Sequence, residues 1–86
     1  MVGSQKGAGN KVGWEMNNQQ LRDKFAAEVK AGEWKYMHTE QNIYPAETCD
    51  TCNRRIYYAD RIHVYVHTSY IRRARVCTEC REDAEQ

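Results

Sequence analysis

Four cysteines are the residues of this chain whose type and spacing could do chemistry. They form two Cys-x-x-Cys pairs, Cys49 with Cys52 and Cys77 with Cys80, and 24 residues separate the pairs. Two intervening residues let the backbone turn so that both sulfurs of a pair reach one ion, and four thiolates satisfy the tetrahedral preference of zinc. The pattern therefore predicts one structural Zn²⁺ ion held by all four cysteines.

Disulfide pairing and a thiol-redox pair are the competing explanations for the same cysteines. The first 15 residues contain no apolar run of the kind that a secretion signal needs. No stretch approaches the ~20 apolar residues of a membrane span. We therefore expect a cytoplasmic protein without a membrane-spanning segment, whose reduced thiols favour metal binding over disulfides. A redox switch would need an exposed cysteine pair with a lowered pKa.

A site closed by four cysteines has no coordination position left for water. We therefore expect the ion to stabilise the fold, and we predict a protein that is not an enzyme and has no small-molecule substrate. The alternative is an HNH-type nuclease, in which such cysteine pairs brace a hairpin that carries a catalytic histidine. The segment Asp60-Arg61-Ile62-His63 is the nearest candidate for that hairpin.

A helix is predicted ahead of the cysteines. Apolar residues recur there at helical spacing: Leu21, Phe25 and Val29. Asn17 can cap the first turn with its side-chain oxygen, and Gln20 stands at the spacing of a capping box. Gly32 is placed to end the helix in a left-handed conformation. The pattern predicts a helix over residues 17–31 whose apolar stripe packs on the cysteine module.

The residues between the cysteine pairs favour β structure. Apolar side chains alternate along residues 62–67, which predicts a half-buried strand with His63 and His67 facing solvent. Residues 56–58 are expected to form its partner strand, and residues 70–76 a third strand. None of the three histidines of the chain is required as a metal ligand, because four cysteines are present.

The paired cysteine knuckles over residues 49–80 resemble the four-cysteine zinc-finger superfamily, in its treble-clef and zinc-ribbon forms. They are loosely similar to the C-terminal fingers of DksA/TraR-type bacterial regulators and to small zinc-finger proteins of phages. The interval between the knuckles is longer here, and Asn53 and Arg81 stand where a glycine often follows a knuckle. A treble clef begins a helix at the second knuckle, and the helix-compatible residues 81–85 favour that form. The resemblance implies a small regulatory protein.

Together these patterns predict a small α+β protein. We expect a leader over residues 1–16 that is flexible or a remnant of cloning, because it is rich in glycine. A helix and an irregular aromatic segment follow over residues 17–48, since residues 33–48 lack a clean period. Residues 49–86 form the zinc finger, a hairpin or three-stranded sheet with the ion as its staple. Residues 17–86 are expected to pack as one compact domain.

Basic and aromatic residues of the finger are the candidates for contacting a partner. The whole chain has a formal charge of +1, which indicates no partner. Residues 49–81 hold seven arginines and three acidic residues, and the zinc-thiolate centre lowers their net charge from +4 to +2. Arginine suits bidentate phosphate contacts and tyrosine stacks on bases, so we expect nucleic-acid binding. The candidate contact residues are Arg54, Arg55, Arg61, Arg72, Arg73, Arg75 and Tyr70.

Protein binding is the alternative. The arginines would then offset the charge of the zinc-thiolate centre or cover a solvated sheet face. A protein–protein adaptor or inhibitor that docks on transcription or other host machinery would need an exposed apolar patch. The candidates for that patch are Trp34, Tyr36, Ile43 and Tyr44. The predicted partner is therefore nucleic acid or a protein of the nucleic-acid machinery.

Overall fold

The computed structural model describes residues 16–86, so the predicted leader lies outside the described residues except for Met16. The elements in chain order are α1 (Asn18–Lys30), β1 (Trp34–Gln41), β2 (Ala46–Thr48), β3 (Arg55–Tyr57), β4 (Arg61–His67), β5 (Arg73–Val76) and α2 (Thr78–Glu85). The predicted α+β class is confirmed. No helix in this described part of the chain is long and apolar enough to cross a membrane.

Both ends of α1 are set by the residues that the sequence indicated. The Asn17 side chain accepts a hydrogen bond from the Gln20 N–H at 2.8 Å, and the Gln20 side chain accepts one from the Asn17 N–H at 2.9 Å. This reciprocal pair satisfies two N–H groups that the first turn leaves unpartnered. Gly32 follows the helix with a φ of +85°, which glycine adopts without steric cost.

The larger sheet has three antiparallel strands in the order β1-β4-β5. Its first strand lies within residues 33–48, where the sequence predicted an irregular segment, and that prediction was wrong. The register of β1 against β4 shifts between Tyr36 and His38. This bulge breaks the two-residue period by which a strand is recognised, so the pairing of β1 became evident only in the fold.

The smaller sheet is the antiparallel pair β2-β3, which brackets the first cysteine pair. The sequence predicted that residues 56–58 would pair with β4, and this was also wrong. Both edges of β4 are already occupied, one by β1 and one by β5. The residues of β3 therefore find their hydrogen-bonding partner in the preceding strand.

Strand β4 is buried on both faces. Four consecutive side chains, Ile62, His63, Val64 and Tyr65, are at most 5% exposed. The prediction that His63 faces solvent was therefore wrong, because the helices cover that side of the sheet. The ring of Phe25 in α1, for example, packs edge-to-face on Tyr65 with centroids 5.0 Å apart.

The buried core is continuous from α1 to the cysteines. Phe25 and Ala26 belong to the same cluster as the four cysteines, β4, and Ala84 of α2. The apolar stripe of α1 thus packs on the cysteine module, as the sequence predicted. The division of the chain at residue 48 stays a prediction.

Candidate metal centre

The two cysteine pairs are presented by different structures. Cys49 and Cys52 lie in the turn between β2 and β3, whereas Cys77 caps α2 and Cys80 lies in its first turn. All four are at most 4% exposed. The second pair therefore begins a helix.

The sulfur atoms form a compact tetrad. All four lie within 4.8 Å of one another, with 3.6 Å between Cys49 and Cys80 and 3.7 Å between Cys52 and Cys77. A tetrahedral ion with metal–sulfur bonds of ~2.3 Å requires a sulfur–sulfur separation of about 3.8 Å. A disulfide requires about 2.05 Å, so these are free thiols. The four cysteines are arranged to bind one metal ion.

The four thiols shift one another's pKa values. The pKa of Cys49 is lowered because its thiolate accepts hydrogen bonds from the thiols of Cys77 and Cys80. The same hydrogen bonds to Cys49 raise the pKa of Cys77 to about 11, and they raise that of Cys80 as well. A bound dication would replace those protons and let the remaining sulfurs ionise.

Backbone N–H groups also favour negative sulfur. The N–H groups of Thr51 and Cys77 point at the Cys49 sulfur, at 3.4 and 3.3 Å. Cys80 additionally lies at the N-terminal end of α2, where the helix dipole favours negative charge. The folded backbone is therefore organised to stabilise thiolates.

An arginine that the sequence did not indicate connects α1 to this centre. Arg22 forms ion pairs with Glu79 and Asp83 of α2, each at 3.4 Å. Burial lowers the pKa of Arg22, but a hydrogen bond to Cys52 and the charges of these carboxylates raise it above its usual value. Arg54 approaches the same Glu79 at 2.7 Å. Only the fold could reveal this cluster, because its members are far apart in sequence.

Some of the arginines predicted to contact nucleic acid form ion pairs within the protein, and others do not. Arg75 forms ion pairs with Glu47 and, at 3.1 Å, with Glu40, and Arg54 pairs with Glu79. Both arginines are thus already engaged with carboxylates of the protein itself. Four candidates are exposed and take part in no ion pair formed within residues 16–86: Arg55, Arg61, Arg72 and Arg73.

These four arginines lie at two separate places. Arg55 and Arg61 line one groove of about 230 Å³. Arg72 and Arg73 lie by the turn that joins β4 to β5, next to Tyr70. Arg61 opens β4, and Arg73 pairs with Val66 at its other end, about 16 Å away at ~3.3 Å per residue. The structure therefore does not bring the predicted residues into one patch.

The residues predicted to form an exposed apolar patch differ in their exposure and contacts. Trp34 is half-buried and donates a hydrogen bond to Glu28 at 3.0 Å, and the Tyr36 ring is covered by the Arg81 guanidinium at 3.9 Å. Ile43 and Tyr44 are 70% and 53% exposed. Tyr57 at the end of β3 and Tyr58 after it are also exposed. We call these four residues the tip patch: Ile43, Tyr44, Tyr57 and Tyr58.

Buried Asn42 holds the tip patch together. Its side-chain amide donates to the carbonyl groups of Ile56 at 3.1 Å and Tyr57 at 3.0 Å. Its side-chain oxygen accepts from the Tyr44 N–H at 3.0 Å. All of its side-chain hydrogen-bonding atoms are therefore used, at 1% exposure. An asparagine in a loop gives no sequence signal for such a role.

His63 is a buried connector and no metal ligand. Its two ring nitrogens hydrogen-bond the hydroxyls of Thr39 at 2.8 Å and Thr78 at 3.0 Å, which joins β1, β4 and α2. Its pKa is lowered, first by burial and then by the positive charges of Arg81 and Arg61. The metal-binding group found in residues 16–86 contains only the four cysteines.

Comparisons with protein-family models, curated proteins and solved structures find no match for this chain. Its likeness to four-cysteine zinc fingers therefore rests on the cysteine geometry. That geometry carries the functional argument.

Proposed function

We propose that this protein is a non-enzymatic binding module whose fold is stabilised by one structural zinc ion. The sulfur tetrad carries the proposal, because its separations match the ~3.8 Å edge of a zinc–thiolate tetrahedron. Four protein ligands close the coordination shell, so the ion contributes to folding and has no position for a substrate.

Native mass spectrometry combined with elemental analysis tests the metal. We expect one zinc ion per chain and four cysteines that alkylating reagents modify only after denaturation and chelation. Iron in place of zinc would support the four-cysteine metal site and contradict the choice of zinc. A metal-free chain with two disulfides would contradict the proposal.

We infer further that the module contacts nucleic acid. The supporting observation is that four exposed arginines form no ion pair within residues 16–86. Exposed tyrosines lie near both groups in sequence: Tyr57 and Tyr58 between Arg55 and Arg61, and Tyr70 before Arg72 and Arg73. Guanidinium groups bind phosphate in bidentate fashion, and tyrosine rings stack on bases. Glu40, Glu47 and Glu79 are engaged with other arginines, namely Arg22, Arg54 and Arg75.

Salt dependence is the direct test. Anisotropy titrations with a labelled oligonucleotide should give affinity that falls steeply between ~50 and ~200 mM salt, because phosphate contacts release counterions. The double variant Arg72→Gln/Arg73→Gln should lower the slope of log affinity against log salt by about 1.4–1.8. Lys30→Gln/Lys35→Gln removes the same charge from α1 and β1 and serves as the matched control. Undetectable binding at ~50 mM salt would contradict the proposal.

A protein-binding adaptor is the second candidate, and the tip patch favours it. Four large side chains, each at least 53% exposed, lie on backbone segments that the hydrogen bonds of Asn42 bring together. Such clusters on small proteins are typical of interaction sites. A pull-down from nuclease-treated lysate distinguishes the candidates, because an adaptor keeps its partner and loses it in Tyr57→Ser/Tyr58→Ser. Loss of the captured partner on nuclease treatment would support nucleic-acid binding instead.

The nuclease alternative loses support from the placement of His63. A general base must reach the substrate, whereas His63 is 5% exposed and hydrogen-bonds two threonines. We therefore propose that no cleavage occurs. Incubation of the zinc-loaded protein with DNA and Mg²⁺ or Mn²⁺ tests this, and cleavage that His63→Ala abolishes would overturn it.

A further inference from the structure

A groove lined by aromatic rings lies beside the β4–β5 turn. It encloses about 380 Å³, between α1, the start of β1, that turn and the loop of the first cysteine pair. This volume lies within the ~300–1,000 Å³ range of small-ligand sites. We call it the aromatic groove, and its rings are Phe25, Trp34, His67 and Tyr70.

The rings at one side of the aromatic groove form an ordered stack. Tyr70 lies on His67 with centroids 3.9 Å apart and an interplanar angle of 18°, and Trp34 meets His67 edge-on at 4.8 Å. Tyr70 nevertheless remains 56% exposed. Because His67 covers one face of the tyrosine ring, the exposed area includes the other face. This leaves a flat aromatic surface ready for another ring.

Hydrogen bonds hold the turn that carries this stack. The Thr68 hydroxyl donates to the Gly32 carbonyl at 2.9 Å, and the Thr68 N–H donates to the Glu33 carbonyl at 3.0 Å. The Ser69 N–H donates to Nδ1 of His67 at 3.1 Å. The turn is thus tied to the end of α1, so a ligand would meet a preformed surface and little ordering cost.

The groove carries three cationic and three anionic side chains, so its formal charges balance. The Glu28 carboxylate is paired with Lys24 at 2.5 Å and accepts from Trp34, and the Asp50 carboxylate accepts from the backbone N–H of Arg75 at 2.8 Å. The guanidinium groups of Arg72 and Arg73 form no ion pair within residues 16–86, so both can contact an anion. A ligand with a planar ring and an adjacent anion complements this surface.

We propose that the aromatic groove binds an unpaired nucleotide of a single-stranded nucleic acid. The base stacks on Tyr70, and the flanking phosphates contact Arg72 and Arg73. This inference rests on the proposed nucleic-acid function and specifies its ligand. A base within a duplex is stacked on both faces and cannot present a face to Tyr70, so single strands are the matching form.

Anisotropy titrations test the inference with a thymine homopolymer and, at equal length and salt, a duplex. Wild type should bind the single strand more tightly. Tyr70→Ala should weaken single-strand binding roughly 5- to 150-fold, which corresponds to ~1–3 kcal/mol of stacking per base. Tyr70→Phe should keep the affinity within about twofold, because the ring is retained. Tyr44→Ala removes an equally exposed tyrosine outside the groove and is the matched control.

Two results would overturn the inference. Equal binding of both forms with no effect of Tyr70→Ala would remove the groove as a base site and leave the proposed nucleic-acid function standing. Undetectable binding of either form at ~50 mM salt would remove both. Circular dichroism and zinc content of each variant verify the fold, which the exposed position of Tyr70 should preserve.

Discussion

The guanidinium of Arg22 in α1 lies 3.4 Å from the carboxylate of Glu79, the residue that precedes Cys80. Asp83 lies at the same distance from Arg22, and Arg54 of the first knuckle pairs with Glu79 as well. Helix α1, the loop of the first cysteine pair and α2 thus meet at one charged cluster beside the metal centre. The N-terminal helix is therefore part of the structural support of the tetrad.

Replacement of Arg22 by methionine should destabilise the protein by about 1 kcal/mol. The substitution keeps the aliphatic stem and removes the charge, and the side chains concerned are partly exposed at 19% and 46%, which limits the gain from each pair. Urea unfolding of Arg22→Met, Glu79→Gln and the double variant measures the interaction. Lys30→Met is the control, and additive effects in the cycle would contradict direct coupling.

Removal of the metal should unfold the protein. The four sulfurs lie in one buried site, and the free energy of metal binding there stabilises the folded state, so the fold loses that stabilisation when the metal is removed. A chelator in excess should abolish the far-ultraviolet circular dichroism of the fold, and added zinc should restore it. Cys80→Ser should behave like the chelated wild type. A metal-free chain that unfolds at the same temperature as the loaded one would contradict this prediction.

His63 should make stability depend on pH. Its pKa is lowered in the folded state by burial, so the unfolded chain takes up the proton more readily. Its contribution is complete above the unfolded pKa of about 6.5 and is lost as pH falls through that value toward the lowered folded pKa. The contribution of His63 to the slope should reach at most ~1.4 kcal/mol per pH unit.

Urea unfolding at pH 8, 7 and 6 with excess zinc measures this dependence. His63→Gln should lower the slope by the His63 contribution and leave the contribution of the four cysteines, although it also costs stability at every pH. His38→Gln is the control, because His38 lies at the surface against Glu40 and should leave the slope intact. An unchanged slope in His63→Gln would assign the titration to another group.

Asn42→Ala should cost about 1–3 kcal/mol. The change removes two donors and one acceptor in a site of 1% exposure, so the Ile56 carbonyl and the Tyr44 N–H lose their hydrogen bonds to Asn42, whereas the Tyr57 carbonyl keeps its bond from the Asp60 N–H at 3.1 Å. Thermal unfolding measures the loss, with exposed Gln41→Ala as the control. A shift of less than ~0.5 kcal/mol would show that water replaces these hydrogen bonds.

Two substitutions at left-handed positions should change stability in opposite directions. Ala59 has a φ of 74°, which is strained for a residue with a Cβ, so Ala59→Gly should stabilise by about 0.5 kcal/mol. Gly32→Ala should destabilise by about 1 kcal/mol. No atom lies within 4 Å of a Cβ at Gly32, so that loss reports backbone strain alone. Equal signs in thermal unfolding would contradict this account.

The cysteine tetrad and α1 could be predicted from the sequence because their signals are local. Two Cys-x-x-Cys turns specify ligand type and number, and four thiolates have few uses besides holding one ion. The capping box of Asn17 and Gln20 and the terminating Gly32 lie within one turn of the helix they limit. Local chemistry therefore determined that a metal module with an N-terminal helix would form.

Tertiary structure alone decided which side chains are free to act. The bulge of β1 hides its period, and the burial of His63 follows from helices that cover a sheet face. Arg75 and Arg54 form ion pairs with carboxylates that lie 25 to 35 residues away in sequence, whereas Arg72 and Arg73 form none within residues 16–86. Pairings over such separations depend on how strands and helices meet in space. A sequence pattern that reports only neighbouring residues therefore cannot show them.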